Sequence, residues 1–488
     1  MRFSTFALAV ETVVVAGIIA CVPYTEIDWK AYMEEVSGFL GGQLNYRKLG
    51  GGTGPLVYPG GFVWIYSVLY YFTKLGEDIQ VAQWIFAGVY LGTLALLLRF
   101  YTNAGLSWKV MLPLFISKRI RSLYVLRLFN DCWAMLFLVI AVTLIAGSPA
   151  RDGRRVRNWV LGCFFYSFAV SIKMNVLLFA PGMLYVMLRT LPLLQVMGCL
   201  CVCAALQVVE GFPFLLHDYE AYVSKGFELD RIFTQRWSVN YQFLDNATFV
   251  NPRFGTALLA ATVATWVLVW RTRWAKRTYL TSAEATALRP VLRDVPHPAP
   301  GATVDGDGDE TAEEAEERAA YVATVLTFFE SNLIGVVFAR TLHYQFYTWF
   351  FFTIPFVLSY TAFPRAFCLV TFALIRQGFE QYPPTPLTSM LLQGGFALAL
   401  VAVLFLGRDS ASSPSTKIQK QPQAGGIALA KTNGIAPSPT LEVSKEEKKK
   451  MKTPSPRAAA SIAQPKTKRA QKDSPKPTAK PKGKEKVK

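Results

Sequence analysis

The chain has 488 residues, 52% apolar and 14% aromatic, and only 17% carry charge, where a soluble domain would carry about 25%. That balance excludes a water-soluble globular protein and predicts an integral membrane protein. The net charge of +18 is no evidence for a nucleic-acid partner, because from Arg408 onward 20 Lys/Arg stand against 6 Asp/Glu, which puts +14 of it in one tail.

In chain order, apolar stretches near 6–22, 79–101, 132–147, 158–172, 175–190, 193–209, 255–270, 321–338, 345–362 and 386–406 are predicted spans or parts of spans, since crossing the hydrocarbon takes about 20 residues. The first, "FALAVETVVVAGIIACV", contains Glu11 and lacks a cleavage pattern, so a retained anchor is expected. "CVPYTEIDWKAYMEEV" follows at once with Glu26, Asp28, Glu34 and Glu35. On a helical start Glu26 and Asp28 would point about 200° apart, and Trp29 and Tyr32 would act as interfacial anchors. The alternative is a solvated interfacial helix with no chemistry.

"GGGTGPLVYPGGF" (50–62) has no G-K-[ST], which argues against a nucleotide cradle and for an irregular loop that lets backbone approach a substrate. Two basic clusters, Arg151, Arg154, Arg155 and Arg157 and then Arg271, Arg273, Lys276 and Arg277, mark cytosolic faces. Between the acidic first loop and Arg151 an odd number of crossings is needed, so one of the runs near 61–73 or 110–117 must cross or re-enter. The polar segment 211–252 ends in the sequon Asn246-Ala247-Thr248 and is expected on the luminal side.

On that topology "SKRIRSLYVLRLFND" (117–131), Lys173 in "SIKMNVLL" and Arg340 in "ARTLHYQFY" fall at the luminal face, against the positive-inside pattern. Charges held there are commonly functional, and phosphate is their natural partner. The seven cysteines imply no disulfide framework, and Cys199, Cys201 and Cys203, two apart on a helix, read as small packing residues. His217, His297 and His343 lie far apart, so neither a metal site nor a Ser-His-Asp triad is expected. The acidic run "DGDGDETAEEAEE" reads as a disordered insertion over 278–320 rather than a calcium loop, because Glu310 stands where the loop requires glycine. Residues 407–488, rich in Pro, Ser, Lys and Ala, read as a disordered basic tail, ending with Lys484 and Lys486 as in a K-x-K-x-x retrieval signal. What remains is a carboxylate cluster, a second acid in Asp131, and cations at one membrane face. That set suits a reaction between a hydroxyl and an anionic, lipid-borne leaving group, in which a carboxylate takes the proton and cations hold the departing phosphate.

The stretches "TEIDWKAYMEEV", "GTGPLVYPGGFVWIYSVLYY", "SKRIRSLYVLRLFND", "SIKMNVLLFAPG" and "ARTLHYQFYTWFFFTIPF" together resemble the dolichyl-phosphate-mannose-dependent α-1,3-mannosyltransferases of N-glycan precursor assembly, glycosyltransferase family 58 of the GT-C class. The likeness runs in order over most of residues 1–406. It implies an all-α polytopic bundle of the GT-C type in the endoplasmic reticulum membrane, with luminal loops forming the active site and the tail cytosolic. The implied reaction moves mannose from dolichyl-phosphate-mannose to lipid-linked Man5GlcNAc2 with inversion, and needs neither metal nor soluble cofactor. Families of this class carry the catalytic acid just after the first span, which points to Asp28 as base with Glu26 the alternative. Asp131, Arg127, Lys173, Arg340, His343 and Tyr58 are the candidate substrate-binding residues. A transferase of the same class with another acceptor, such as a glycolipid anchor, is the second reading. A lipid flippase is the third, and it predicts internal repeats that this sequence lacks.

Overall fold

The computed structural model describes residues 3–147, 154–228, 234–279 and 311–407. The core of the acidic run, the retrieval-like lysines and most of the basic tail lie outside them. The described residues are helical throughout, except for one two-stranded ribbon and short connections.

The first span is helix α1 (Phe3–Cys21), followed after an irregular stretch by α2 (Trp29–Leu40). The glycine-rich segment folds into an antiparallel ribbon, β1 (Gly50–Gly51) against β2 (Gly54–Pro55). Then come α3 (Gly60–Phe72), α4 (Ile79–Asn103), α5 (Trp108–Met111), α6 (Lys118–Val125), α7 (Asp131–Ala146) and α8 (Arg154–Ile172). A 3-10 turn at Met174–Phe179 runs into α9 (Ala180–Thr190), and α10 (Leu193–Gly226) follows, bent near Pro213 and with non-helical backbone at Asp218. The rest is α11 (Asn246–Val250), α12 (Pro252–Thr272), α13 (Ala312–Val337), α14 (Ile354–Ser359), α15 (Arg365–Glu380) and α16 (Pro386–Leu406). Among the described residues α1, α4, α10, α12, α13 and α16 are long and apolar enough to cross a bilayer, and α3 and α7 are shorter apolar helices. The chain is a multi-pass, all-α membrane protein.

Two sequence expectations are corrected, and a choice between two short runs is resolved. The run 345–362 is not a span: it breaks into a 3-10 turn (Tyr344–Trp349), an irregular corner and the short α14. Its aromatic residues, among them Phe350, Phe351 and Phe356, are buried inside the bundle, so its apolarity comes from core packing rather than lipid contact. The supposed disordered insertion ends earlier than 320. "TAEEAEERAAYV" starts α13 with a complete capping box in which Thr311 and Glu314 satisfy each other's backbone N–H groups, and its Ala and Glu residues are good helix formers. Of the two short runs, 61–73 becomes the continuous helix α3, whereas 110–117 is split between the end of α5 and a 3-10 turn.

The expected interfacial anchors are core residues. Trp29 is 0% exposed and donates its indole N–H to the Gly76 carbonyl at 2.9 Å, and Tyr32 is 2% exposed. Cys199 and Cys203 lie four apart, on one face of α10, and meet Cys163 of α8; the Cys203 thiol sits 3.5 Å from the Cys163 carbonyl. Glu11 explains its place in the first span by pairing with Arg121 of α6 at 2.5 and 2.9 Å while accepting from Tyr90 of α4 at 2.8 Å. Arg277, expected in an exposed cytosolic cluster, is instead buried and bidentate to Glu330 of α13 at 2.6 and 2.8 Å.

Close packing sets the position of the loop ahead of α3. A Cβ on Gly60 would lie 2.6 Å from the Glu210 carbonyl oxygen of α10, and one on Gly61 would strike the Ser171 hydroxyl of α8. Only a double glycine lets the α3 N-terminus seat between those helices. The ribbon seats as tightly on α2, because a Cβ on Gly51 would lie 2.5 Å from the Ala31 backbone.

Candidate active site

Glu26 and Asp28 lie in the irregular connection between α1 and α2, so they are not on a helix when they diverge. Glu26 turns to local work: its carboxylate accepts from the Tyr24 hydroxyl at 2.7 Å and from the Lys30 N–H at 3.1 Å, in the first turn of α2. Asp28 is the N-cap residue of α2 but makes no side-chain cap bond. It lines a cavity of about 1520 Å³, on which Glu26 has no surface. Glu26 thus serves the start of α2, where the unsatisfied N–H groups of a helix recruit a nearby carboxylate.

The same cavity collects Tyr58, Arg127, Lys173, Arg340 and His343, five of the six substrate-binding candidates, from the ribbon loop, the α6–α7 corner, the end of α8 and the turn after α13. Asp131 is the exception. It is 0% exposed and absent from the lining, so it lies behind the cavity wall rather than on it. Its carboxylate instead accepts from Lys173 Nζ at 2.6 Å and from the Trp349 indole N–H at 2.5 Å.

Lys173 is thus a fixed cation. It donates a second bond to Asn130 Oδ1 at 2.9 Å and lies over the rings of Tyr58 and Phe346 at 5.3 and 5.6 Å. The Tyr32 hydroxyl stands 3.4 Å from both Asp28 Oδ2 and Asn130 Oδ1. It has one proton for two acceptors, so it serves one at a time. Asp28, Tyr32, Asn130, Lys173, Asp131 and Trp349 therefore form one continuous polar chain from the cavity wall into the core. Burial raises the Asp28 carboxyl above its ordinary range, against the opposing pull of the Lys173 ammonium and of hydrogen bonds from Thr53 and Tyr32, while Asp131 adds to the rise.

Arg340 fills the space left by Gly255 of α12, where a Cβ would lie 3.2 Å from its guanidinium. His343 lies beside Phe346, their ring centroids 5.1 Å apart. Apolar wall is supplied by Leu258, Leu259 and Trp266 of α12 and Phe338 after α13, and α12 also carries exposed apolar residues that do not line the cavity, Val263 and Val267. Sequence reasoning had passed over Arg119, Asn130, Tyr32 as a polar group, and Trp349. Asn130 and Arg119 were in quoted stretches, but nothing in their spacing distinguished them from neighbours.

Residues 5–389 match the ALG3 protein family. The chain belongs to that family. Among its relatives, "Dol-P-Man:Man(5)GlcNAc(2)-PP-Dol alpha-1,3-mannosyltransferase" of Homo sapiens is 39% identical over 404 residues, covering 80% of this chain and 83% of the relative. The protein of the same name from Arabidopsis thaliana is 38% identical over 396 residues, covering 80% and 84%. That from Neurospora crassa is 35% identical over 412 residues, covering 82% and 86%. No solved structure matches the chain. The family match spans α1 to the start of α16 and so includes every side chain that lines the cavity.

Proposed function

We propose that this chain is the α-1,3-mannosyltransferase its relatives are named for, taking mannose from dolichyl-phosphate-mannose to Man5GlcNAc2-PP-dolichol. The observation that carries the reading to residues is the gathering of Asp28, Arg127 and Arg340 around one cavity with an apolar wall, beside the Lys173–Asp131 pair. A lipid-borne sugar phosphate needs both halves of that surface, cations for the phosphate and hydrocarbon for the chain.

The reaction proceeds as a single displacement. The acceptor hydroxyl attacks C1 of the mannosyl group on the face opposite the phosphate, its proton passes to the Asp28 carboxylate, and the C1–O bond to phosphate breaks as the new C1–O bond forms. The electron pair leaves on dolichyl phosphate. One base and one inversion suffice, with no sugar–enzyme intermediate. Asp131 and Asn130 keep Lys173 in place, and Tyr32 holds the Asp28 carboxylate in orientation when it donates to it. The cavity faces the endoplasmic-reticulum lumen in this reading, which the exposed sequon residue Asn246 at the start of α11 supports, and the basic tail is cytosolic.

Purified full-length chain incubated with labelled dolichyl-phosphate-mannose and the five-mannose lipid is expected to yield a six-mannose lipid whose new linkage is α-1,3. Absence of transfer, or a new linkage of another type, overturns the proposal.

A further inference from the structure

Several cations of the bundle are paired with carboxylates, whereas Arg119 and Arg127 at the cavity are not. Arg121 is matched by Glu11 and Arg277 by Glu330, each through bonds of 2.5 to 2.9 Å. Lys173 is matched by Asp131. Arg119 and Arg127, which flank the ends of α6 and both line the cavity, have no carboxylate within ion-pair distance among the described residues. Arg119 is held in orientation by neutral groups: it donates to the backbone carbonyls of Phe379 at 3.0 Å and Glu380 at 3.3 Å, and its plane lies 4.6 Å over the Tyr344 ring. The Glu380 carboxylate near it is engaged by Ser117 at 2.7 Å and by Arg376 at 3.8 Å. Arg127 is anchored by a bond to the Ser122 hydroxyl.

A guanidinium carries five N–H donors. These contacts use two on Arg119 and one on Arg127, and none cancels charge. Removal from water is the main destabilising influence on the Arg127 cation, and the charge of Arg119 adds to it. Two like charges, partly desolvated, held in orientation by backbone and ring, and open to a cavity have unmet demand for an anion. The forked donors suit a phosphoryl group, whose non-bridging oxygens can accept two parallel N–H bonds, one at each of two oxygens. Lys173, already neutralised by Asp131, offers no net charge for that purpose.

We propose that Arg119 and Arg127 form a phosphoryl-binding subsite of the cavity, distinct from the Lys173–Asp131 pair, that takes the phosphate of a polyisoprenyl-phosphate-linked sugar. The inference rests on the mannosyl-transfer reading and divides labour within it: Lys173 orients groups beside Asp28, and the arginine pair carries the anionic charge. Both substrates bear such a phosphate, the donor as a phosphodiester and the acceptor as a diphosphate.

The experiment uses full-length chain in detergent with each substrate varied at saturating levels of the other. Wild-type transfer is measured first, so that failure of the mannosyl-transfer reading is seen before any variant is made. Arg119→Gln and Arg127→Gln are then expected to raise one KM by about 10-fold or more, the other changing little, with Arg119→Lys and Arg127→Lys between wild type and Gln because charge is kept and the fork lost. A raised donor KM, with weaker inhibition by dolichyl phosphate, assigns the subsite to the donor; a raised acceptor KM assigns it to the diphosphate. Either supports the subsite. Unchanged KM values for both substrates in folded Gln variants overturn it. Should the variants fail to fold, arginine modification of wild-type chain by phenylglyoxal decides. Peptide mapping is expected to show Arg119 and Arg127 shielded by dolichyl phosphate or dolichyl diphosphate, and modification at the same rate with and without both lipids overturns the proposal.

Discussion

At the scale of single residues, the two acids of "TEIDW" are separated by what their neighbours ask of them. Glu26 is engaged with Tyr24 and the α2 backbone, whereas Asp28 opens on the cavity. Asp28→Asn is expected to keep the fold and lower turnover by about 10²–10⁴-fold, the range for loss of a general base. Glu26→Gln is expected to cost much less, read in the same transfer assay; the reverse order would move the base to Glu26. A base works ionised, and burial raises the Asp28 carboxyl, so the acid limb of the kcat/KM profile should lie above the ordinary aspartate value of about 3.9. Tyr32 donates to that carboxylate and favours its charged form. Tyr32→Phe should therefore move the acid limb to still higher pH, which a pH series on the two chains checks; a limb that stays put or moves to lower pH would show that the Tyr32 hydroxyl does not bear on the base.

At the scale of elements, the site depends on close contacts remote from it. The loop carrying Tyr58 is continuous with α3, whose first turn seats against α10 and α8 only because residues 60 and 61 lack a Cβ. Gly60→Ala is expected to displace α3, at a cost of about 1–3 kcal/mol typical of overpacking, and to reduce transfer although residue 60 lines no part of the cavity. Gly88→Ala on α4 meets nothing within 4 Å and serves as the matched control, since alanine favours helix. Thermal unfolding and transfer rates of the two variants make the comparison; equal behaviour would show that the Gly60 contact is slack. One element-level error of the sequence reading has a simple cause. Apolar composition reports burial, not what does the burying, so the run 345–362 looked like a span although protein, not lipid, covers it.

At the scale of the whole molecule, the chain divides into the multi-pass body and the basic tail. Residues 410–488 are 79 positions in which charge, proline and serine replace the apolar runs of the body, a composition that buries no core. Removing 410–488 is expected to leave transfer in detergent and the unfolding temperature unchanged; loss of activity on truncation would show that the tail belongs to the catalytic body.

The sequence by itself determined the class of molecule, most of its helices, the family, and five of the six substrate-binding candidates at the cavity together with Asp28. It could do so because membrane insertion is written in local composition, and because charges at a membrane face are costly enough to stand out. Only the tertiary structure put Asp28 on the cavity and Glu26 on the start of α2, buried Asp131 as the partner of Lys173, and brought Arg119, Asn130 and Trp349 to the site. Those decisions join residues far apart in the chain, such as Trp349 to Asp131 and Lys173 to Asn130. A hydrogen bond or ion pair of that kind leaves no periodicity in the sequence, because it depends on which helix faces meet, and that is fixed by the packing of the whole bundle.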